Sequence, residues 1–307
     1  MVSSVTNCDV VSYGEVLWDL LPTKTLPGGA AMNVAYHLKM LGSQPALITK
    51  VGIDEFGKKL VNLLSERGLS TDHFQIDYTY PTGMVHAKTN EDNDVLYDIV
   101  YPSAWDFIEW QDEYGKLVKD AGYFIYGSLA SRSKESRDTL YRLLDTPTTK
   151  VLDINLRPPF FDRANIEYLL KKAAILKLNI AELELITGWF SRFMHLEDRI
   201  GILQDHFHLQ TVIVTMGANG SVIKHDGDIH RHPGFPVQVA DTIGSGDAYL
   251  AGFLNQRSQG FSIAQCLSFA SALGALIATY PGACPDYQPS EIDDLINNKL
   301  MTKTRTS

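Results

Sequence analysis

This chain of 307 residues is short of positive charge, cysteine and long apolar runs, and each shortage removes a class of function. Lys and Arg number 27 against 36 Asp and Glu, a formal net charge of -9. A surface of that sign repels phosphate backbones, which sets nucleic-acid binding aside. A small anion can still bind, because a few local donors outweigh a distant field. Only three cysteines occur, Cys8, Cys266 and Cys284, and none forms a C-x-x-C pair. Sparse, odd-numbered thiols predict a reduced, cytoplasmic protein with no disulfide framework. No run of about 18 apolar residues is present to span a membrane. The opening MVSSVTNCDVV has no basic segment followed by an apolar core, so no signal peptide is expected. The tail NNKLMTKTRTS is polar and expected to fray.

What is there is ordinary globular material, 45% hydrophobic and 21% charged. The recurring unit is a short apolar strand, a turn, then a segment of helical period. Strands are expected at 8–14, 45–51, 122–127, 150–155, 173–179 and 211–217. Several are apolar on consecutive residues, the mark of strands covered on both faces in a parallel sheet. Helices are expected between them at 30–41, 55–67, 133–144, 164–172, 180–187 and 192–204. This alternation predicts an α/β layered fold with right-handed crossovers. Beyond residue 217, SVIKHDGDIHRH reads as a hairpin turning at Asp226-Gly227. Two buried helices follow at 247–258 and 262–279.

Residues 73–101 break the rhythm. TGMVHAKT and VLYDIVY read as strands around the turn sequence NEDND, with Val95, Tyr97, Ile99 and Tyr101 on one face. A small antiparallel flap, or an ordinary edge hairpin, satisfies that pattern.

Three apparent motifs fail on their chemistry. GIDEFGKK (52–59) nearly fits a phosphate-binding P-loop, but Lys59 stands where a Ser or Thr hydroxyl should bind Mg²⁺. Asp54 and Glu55 would also face the phosphates; they suit a helix N-terminus instead. His206 with His208, and His230 with His232, would share a face on strands. Neither pair has a third ligand at close spacing, so solvated histidines are expected rather than zinc. No G-x-S-x-G elbow exists, and no cysteine has an identifiable neighbouring base, so covalent catalysis has little support.

The sharpest signal is DTIGSGD (241–247), running into apolar AYLAGFL. Gly244, Ser245 and Gly246 can present successive backbone N–H groups, and the helix behind them adds partial positive charge. That makes an anion site without a lysine. Asp247 at its edge is either a first-turn acid favoured by the helix dipole or a general base. As a base it would take a hydroxyl proton while the amides hold a transferring phosphoryl group.

With these motifs the chain resembles the PfkB-type (ribokinase-like) carbohydrate kinases over nearly its full length. Those enzymes carry D-T-x-G-A-G-D before small and apolar residues, and Ser245 replaces the commoner Ala. GGAAMN (28–33), followed by Ala35, Gly42 and Gly52, is similar to the family's N-terminal motif. The resemblance implies a ribokinase-like three-layer α/β/α sandwich with a mostly parallel sheet, one domain over 1–307 and a β-lid at about 73–101. It implies that Asp247 is the base and that Gly244, Ser245 and Gly246 form the anion hole. Asp19 would bind sugar hydroxyls, with Gly29 and Asn33 lining the same pocket. Asn179 and Glu182 match an N-x-x-E segment linked to phosphate and to Mg²⁺, Glu182 acting through water. Thr215, Gly217 and Gly220, in VTMGANGS, would lie at the ATP. Asp241 and Ile243 would lend backbone carbonyls to a monovalent cation such as K⁺, as in some relatives.

Chemistry independent of the family is compatible with part of this. An ionised Asp19 can accept two hydroxyl donors, although an acid ahead of Pro22 also suits a turn. On a helix, Asn179 and Glu182 at i and i+3 share a face and offer oxygen to a hard cation. A solvated helix residue is the alternative for Glu182. GEVLWDLLP, GSLASR (127–132) and DINLRPP (153–159) look most like the fructokinase branch, where Asn155 and Arg157 would lie near substrate. Arg157 at a surface salt bridge is the alternative. Ala30 stands where ribokinases usually carry a lysine. The expected activity is ATP-dependent phosphorylation of a primary sugar hydroxyl, fructose first. Ribose, 2-keto-3-deoxygluconate and a non-catalytic sugar-binding regulator are the alternatives. A nicotinamide oxidoreductase lacks its G-x-G-x-x-G after the first strand. In the family the lid sometimes pairs subunits, so Tyr97 and Tyr101 would serve a homodimer or line the pocket.

Overall fold

The computed structural model describes residues 8–21, 24–89, 95–192 and 195–297. The first seven residues, the tail beyond residue 297, the NEDND turn and the side chain of Tyr97 lie outside the described residues. The chain divides into two compact units, 1–150 and 151–307.

In the first unit the elements run β1 (Val10–Tyr13), β2 (Leu17–Leu21), β3 (Lys24–Gly28), α1 (Ala30–Met40), β4 (Pro45–Gly52), α2 (Glu55–Glu66), β5 (Phe74–Asp77), β6 (Gly83–Thr89), β7 (Val95–Ile99), α3 (Asp112–Asp120), β8 (Tyr123–Gly127) and α4 (Lys134–Leu144). Strands β8, β1, β4 and β5 lie side by side in that order, every pair parallel. All four residues of β1 and all eight of β4 are buried, as continuous apolar runs predict for strands covered on both faces. Helix α2 starts where Asp54 accepts a hydrogen bond from the Gly57 amide, a side-chain cap. It buries Leu60 and Leu64, one turn apart, and leaves Lys58 and Lys59 exposed.

The flap is larger than the hairpin read from residues 73–101. Strands β6 and β7 pair antiparallel as expected, but β2 joins β6 in parallel and β3 joins β2, giving the order β3-β2-β6-β7. Asp19 therefore stands in mid-strand, opposite Leu26 and Val85, and not in a turn before Pro22. β5, inside the same interval, pairs with β4 instead. Tyr101 follows β7 at 56% exposure with the Arg132 guanidinium 5.0 Å from its ring centre.

The second unit runs β9 (Thr149–Asp153), α5 (Arg163–Lys172), β10 (Ile175–Asn179), α6 (Ile180–Thr187), α7 (Leu196–Phe207), β11 (Thr211–Thr215), β12 (Ser221–His225), β13 (Asp228–His232), α8 (Ser245–Ser258), α9 (Ile263–Ile277) and α10 (Pro289–Ile296). β9, β10 and β11 are parallel; β12 and β13 extend them antiparallel. The β12–β13 turn falls at Asp226 and Gly227, both at positive φ, as that dipeptide predicts. α7 begins four residues later than the helix read at 192–204, with Leu203 and Phe207 buried and His208 ending it in a left-handed conformation. His206 and His208 are thus at a helix end and not on a strand; the His206 ring lies 4.4 Å from that of Phe190. His230 and His232 are on β13. Among the described residues no helix is long and apolar enough to cross a membrane, and Cys8, Cys266 and Cys284 form no disulfide.

Candidate active site

The glycine turn opens α8 as its sequence predicts. Gly244 precedes the helix at φ 77°, and a Cβ there would lie 2.5 Å from that of Ala283, so only glycine fits. Ser245 is the first helical residue, and its Oγ donates to the Gly274 carbonyl at 2.7 Å, tying the turn to α9. First-turn N–H groups have no acceptor inside their own helix, which leaves this end of α8 suited to an anion. Asp247, in that turn, is 9% exposed. Asp241 braces the loop before it: its carboxylate accepts from the amides of Ile243 at 3.0 Å and Gly282 at 3.1 Å. Asp241 and Ile243 are both half-buried.

Three parallel strands of the same unit deliver polar residues to their C-terminal ends, where open α/β sheets bind ligands. These are Asp153 on β9, Asn179 on β10 and Thr215 on β11, with Asn179 and Thr215 in register. Asn179 caps α6 and Glu182 answers it in a reciprocal capping box. The Asn179 side chain accepts from the Glu182 amide at 2.9 Å, and Glu182 Oε2 accepts from the Asn179 amide at 2.8 Å. Glu182 Oε1 accepts from the Leu156 amide at 2.8 Å. Glu182 is 8% exposed, which overturns its reading as a solvated helix residue. Burial, with help from Asp153, raises the Glu182 carboxyl above the usual range against the bonds to the Asn179 and Leu156 amides and the charge of Lys177.

Asn155 leaves β9 at φ 40°, a left-handed conformation uncommon outside glycine. Arg157 is exposed, with Nη1 3.3 Å from the neighbouring Leu156 carbonyl, and among the described residues it forms no salt bridge. Gly217 and Gly220 follow β11 at φ 56° and 81°. A Cβ at Gly220 would fall 2.0 Å from the His232 carbonyl, so that glycine is required by packing whatever else it meets.

Two residues that sequence reading passed over complete this cluster. Lys177 and Asp153 are register partners on β10 and β9. Lys177 Nζ donates to both carboxylate oxygens of Asp153, at 2.8 and 2.7 Å, and both side chains are under a tenth exposed. A Cβ on Gly246 would lie 3.1 Å from that ammonium. Burial would lower the Lys177 pKa, but Asp153, Asp247 and Glu182 outweigh it and hold the ammonium above its usual range. Asp153 within the apolar run VLDI and Lys177 within AAILKL, each a charge flanked by apolar residues, were the available signal.

The first unit carries three of the residues assigned to sugar binding, Asp19, Gly29 and Asn33. Asp19, on β2, is half-buried. Gly29 caps α1 at φ 111°, where a Cβ would meet the Glu15 carbonyl at 2.4 Å, and its own carbonyl accepts from the Asn33 amide at 2.8 Å. Buried Glu15 accepts from the Ala30 amide at 3.0 Å, capping the same helix. Asn33 is 4% exposed. The P-loop-like segment is spent on structure. Asp54 holds the Gly57 amide, the Thr82 amide and the Thr82 hydroxyl, each at 2.8 Å.

Known proteins resemble the chain along most of its length. Residues 6–290, running through both units, match the model of the pfkB family carbohydrate kinases. A relative named "Probable fructokinase-2" from Arabidopsis thaliana is 28% identical over 306 residues, covering 90% of this chain and 92% of that one. Among solved structures, fructokinase with bound ATP from Xylella fastidiosa superposes with a TM-score of 0.83 at 24% identity, covering 95% of this chain and 99% of that one. A fructokinase double mutant from Vibrio cholerae, in a fructose-, ADP- and potassium-bound form, gives 0.81 at 23% identity, with coverages of 94% and 98%. These likenesses show a ribokinase-like α/β fold with a mostly parallel sheet flanked by helices. With a family model matching most of its length, the chain belongs to the pfkB family of carbohydrate kinases.

Proposed function

We propose that the protein is an ATP-dependent fructokinase that phosphorylates a primary hydroxyl of fructose. The observation that carries this is buried Asp247 in the first turn of α8, behind the Gly244-Ser245-Gly246 amides. Asp247 takes the hydroxyl proton, and the amides with the α8 dipole stabilise charge on the phosphoryl group in transfer. Asp19, Gly29 and Asn33 hold the sugar, Asn155 and Arg157 contribute to it, and Asn179, Thr215, Gly217 and Gly220 serve the nucleotide.

Both oxygens of Glu182 already accept backbone amides, so Glu182 would hold Mg²⁺ through water. That suits an ion which keeps several waters and takes most other ligands from phosphate. Among the described residues no three His, Cys, Asp or Glu side chains gather as a metal cage. Mg²⁺, when bound, neutralises polyphosphate charge. A monovalent cation such as K⁺ fits backbone carbonyls of the Asp241–Ile243 loop, which the Asp241 carboxylate fixes. β3 and β7 are the outer strands of the small sheet, and an edge strand can pair with a second copy, which supports a homodimer through this sheet. Cysteines without a disulfide support a cytoplasmic location.

The test is ADP release from ATP and Mg²⁺ with a panel of fructose, ribose, glucose and 2-keto-3-deoxygluconate, with and without K⁺. Fructose should give the highest kcat/KM. A better rate with ribose or the sugar acid reassigns the substrate, and no ADP with any sugar points to a binding regulator.

A further inference from the structure

Lys177 is charged, buried and unused by the chemistry assigned above. A lysine in a strand covered on both faces is costly, and an ion pair retained there seldom adds stability over two apolar residues of similar size. Its location suggests another reason. The ammonium is held by both oxygens of Asp153. It packs against Gly246, where a Cβ would come within 3.1 Å of Nζ and 3.6 Å of Cε. Glycine at 246 is therefore what lets the lysine reach the first turn of α8. The charges of Asp153, Asp247 and Glu182, from β9, α8 and α6, all act on this one cation. Without it, three carboxylates at least nine-tenths buried would repel one another.

We infer that the Lys177–Asp153 pair is a positioning device for phosphoryl transfer, seating the first turn of α8, and with it Asp247, in the geometry the reaction needs. Lys177 is a positioning residue in this account: it acts through Asp247 and the Gly246 backbone. The inference rests on the kinase reading, and misplacing a reacting group by about 1 Å costs on the order of 10²-fold in rate.

Two variants test it beside the wild type. Lys177→Met with Asp153→Leu removes the bonded pair together, so neither of its members is left unpaired while Asp247 and Glu182 lose the cation, and the fold should survive, with Tm within about 5 °C of wild type. Its kcat should fall by about 10²-fold or more while KM for the sugar and Kd for ATP stay within about threefold. Lys177→Arg keeps the pair with Asp153, but its larger fork cannot occupy the space against Gly246. It should stay folded with Tm lowered by several °C, since overpacking costs about 1–3 kcal/mol, and lose about tenfold in kcat, again with KM unchanged. If the double variant fails to fold, Lys177→Arg alone decides. A folded variant with kcat within about threefold of wild type overturns the inference and leaves a structural ion pair. An inactive wild type on every sugar overturns the kinase reading itself, whereas an active wild type with active variants overturns only the role of Lys177.

Discussion

The carboxylate of Asp19 rests against Gly28: a Cβ on that glycine would fall 2.3 Å from Asp19 Oδ2. Asp19 on β2 faces Leu26 on β3, so Gly28 is its diagonal neighbour two positions along. The glycine therefore leaves room for the rotamer that Asp19 adopts. If Asp19 grips the sugar, Gly28→Ala should displace the carboxylate and weaken two charge-assisted bonds worth about 1.5–3 kcal/mol each. KM for the sugar should rise by at least about tenfold with Kd for ATP unchanged. Steady-state kinetics over a sugar series checks this; an unchanged KM places the sugar away from Asp19.

Asp247→Asn keeps shape and removes the basic oxygen. It should lower kcat by about 10² or more and leave ATP affinity near wild type, since the amides of α8 remain. Single-turnover kinetics with calorimetric ATP binding separates the two quantities. A near-normal rate would return Asp247 to the role of a first-turn acid.

Glu182 does structural work apart from any metal. Glu182→Ala would strip the acceptor from the Asn179 and Leu156 amides, each costing about 1–3 kcal/mol if left unmet. The urea midpoint should fall accordingly, in the absence of Mg²⁺ and nucleotide. An unchanged midpoint would show that water satisfies both amides.

Asp54 predicts an acid-side signature. Burial would raise its carboxyl, but bonds from the Thr82 amide, the Gly57 amide, the Thr82 hydroxyl and the Phe56 amide outweigh this and hold it below the usual range. A depressed folded value means that its stabilisation is complete above the ordinary aspartate pKa of about 3.9 and is lost as pH falls through the lower folded value. Asp54→Ala should cost about 1–2 kcal/mol at neutral pH. Its deficit against wild type should stay level down to about pH 5 and close in stronger acid. Denaturation at a series of pH values reads this directly, and a deficit independent of pH would assign the loss to packing.

Elements defined by short-range pattern were legible in the sequence. The apolar run of β4, the capped start of α2, the Asp226-Gly227 turn and the glycine entry to α8 all stand where residue type and spacing put them. Strands β2 and β3 were missed because Pro22 and the short polar segment around it look like a turn, and only pairing with β6 makes them a sheet. α3 and α10 also passed unread. Glu182 looked solvated because one exposed-type residue in a helix gives no sign of the amides it meets.

Alone, the sequence determined the strand–helix alternation, the glycine turn that opens α8 and the acid beside it, because apolar period and backbone freedom are properties of neighbouring residues. Only the tertiary structure decided that Lys177 meets Asp153, 24 residues away, and packs against Gly246. That meeting depends on strand order and register, which are set by the packing of the whole unit.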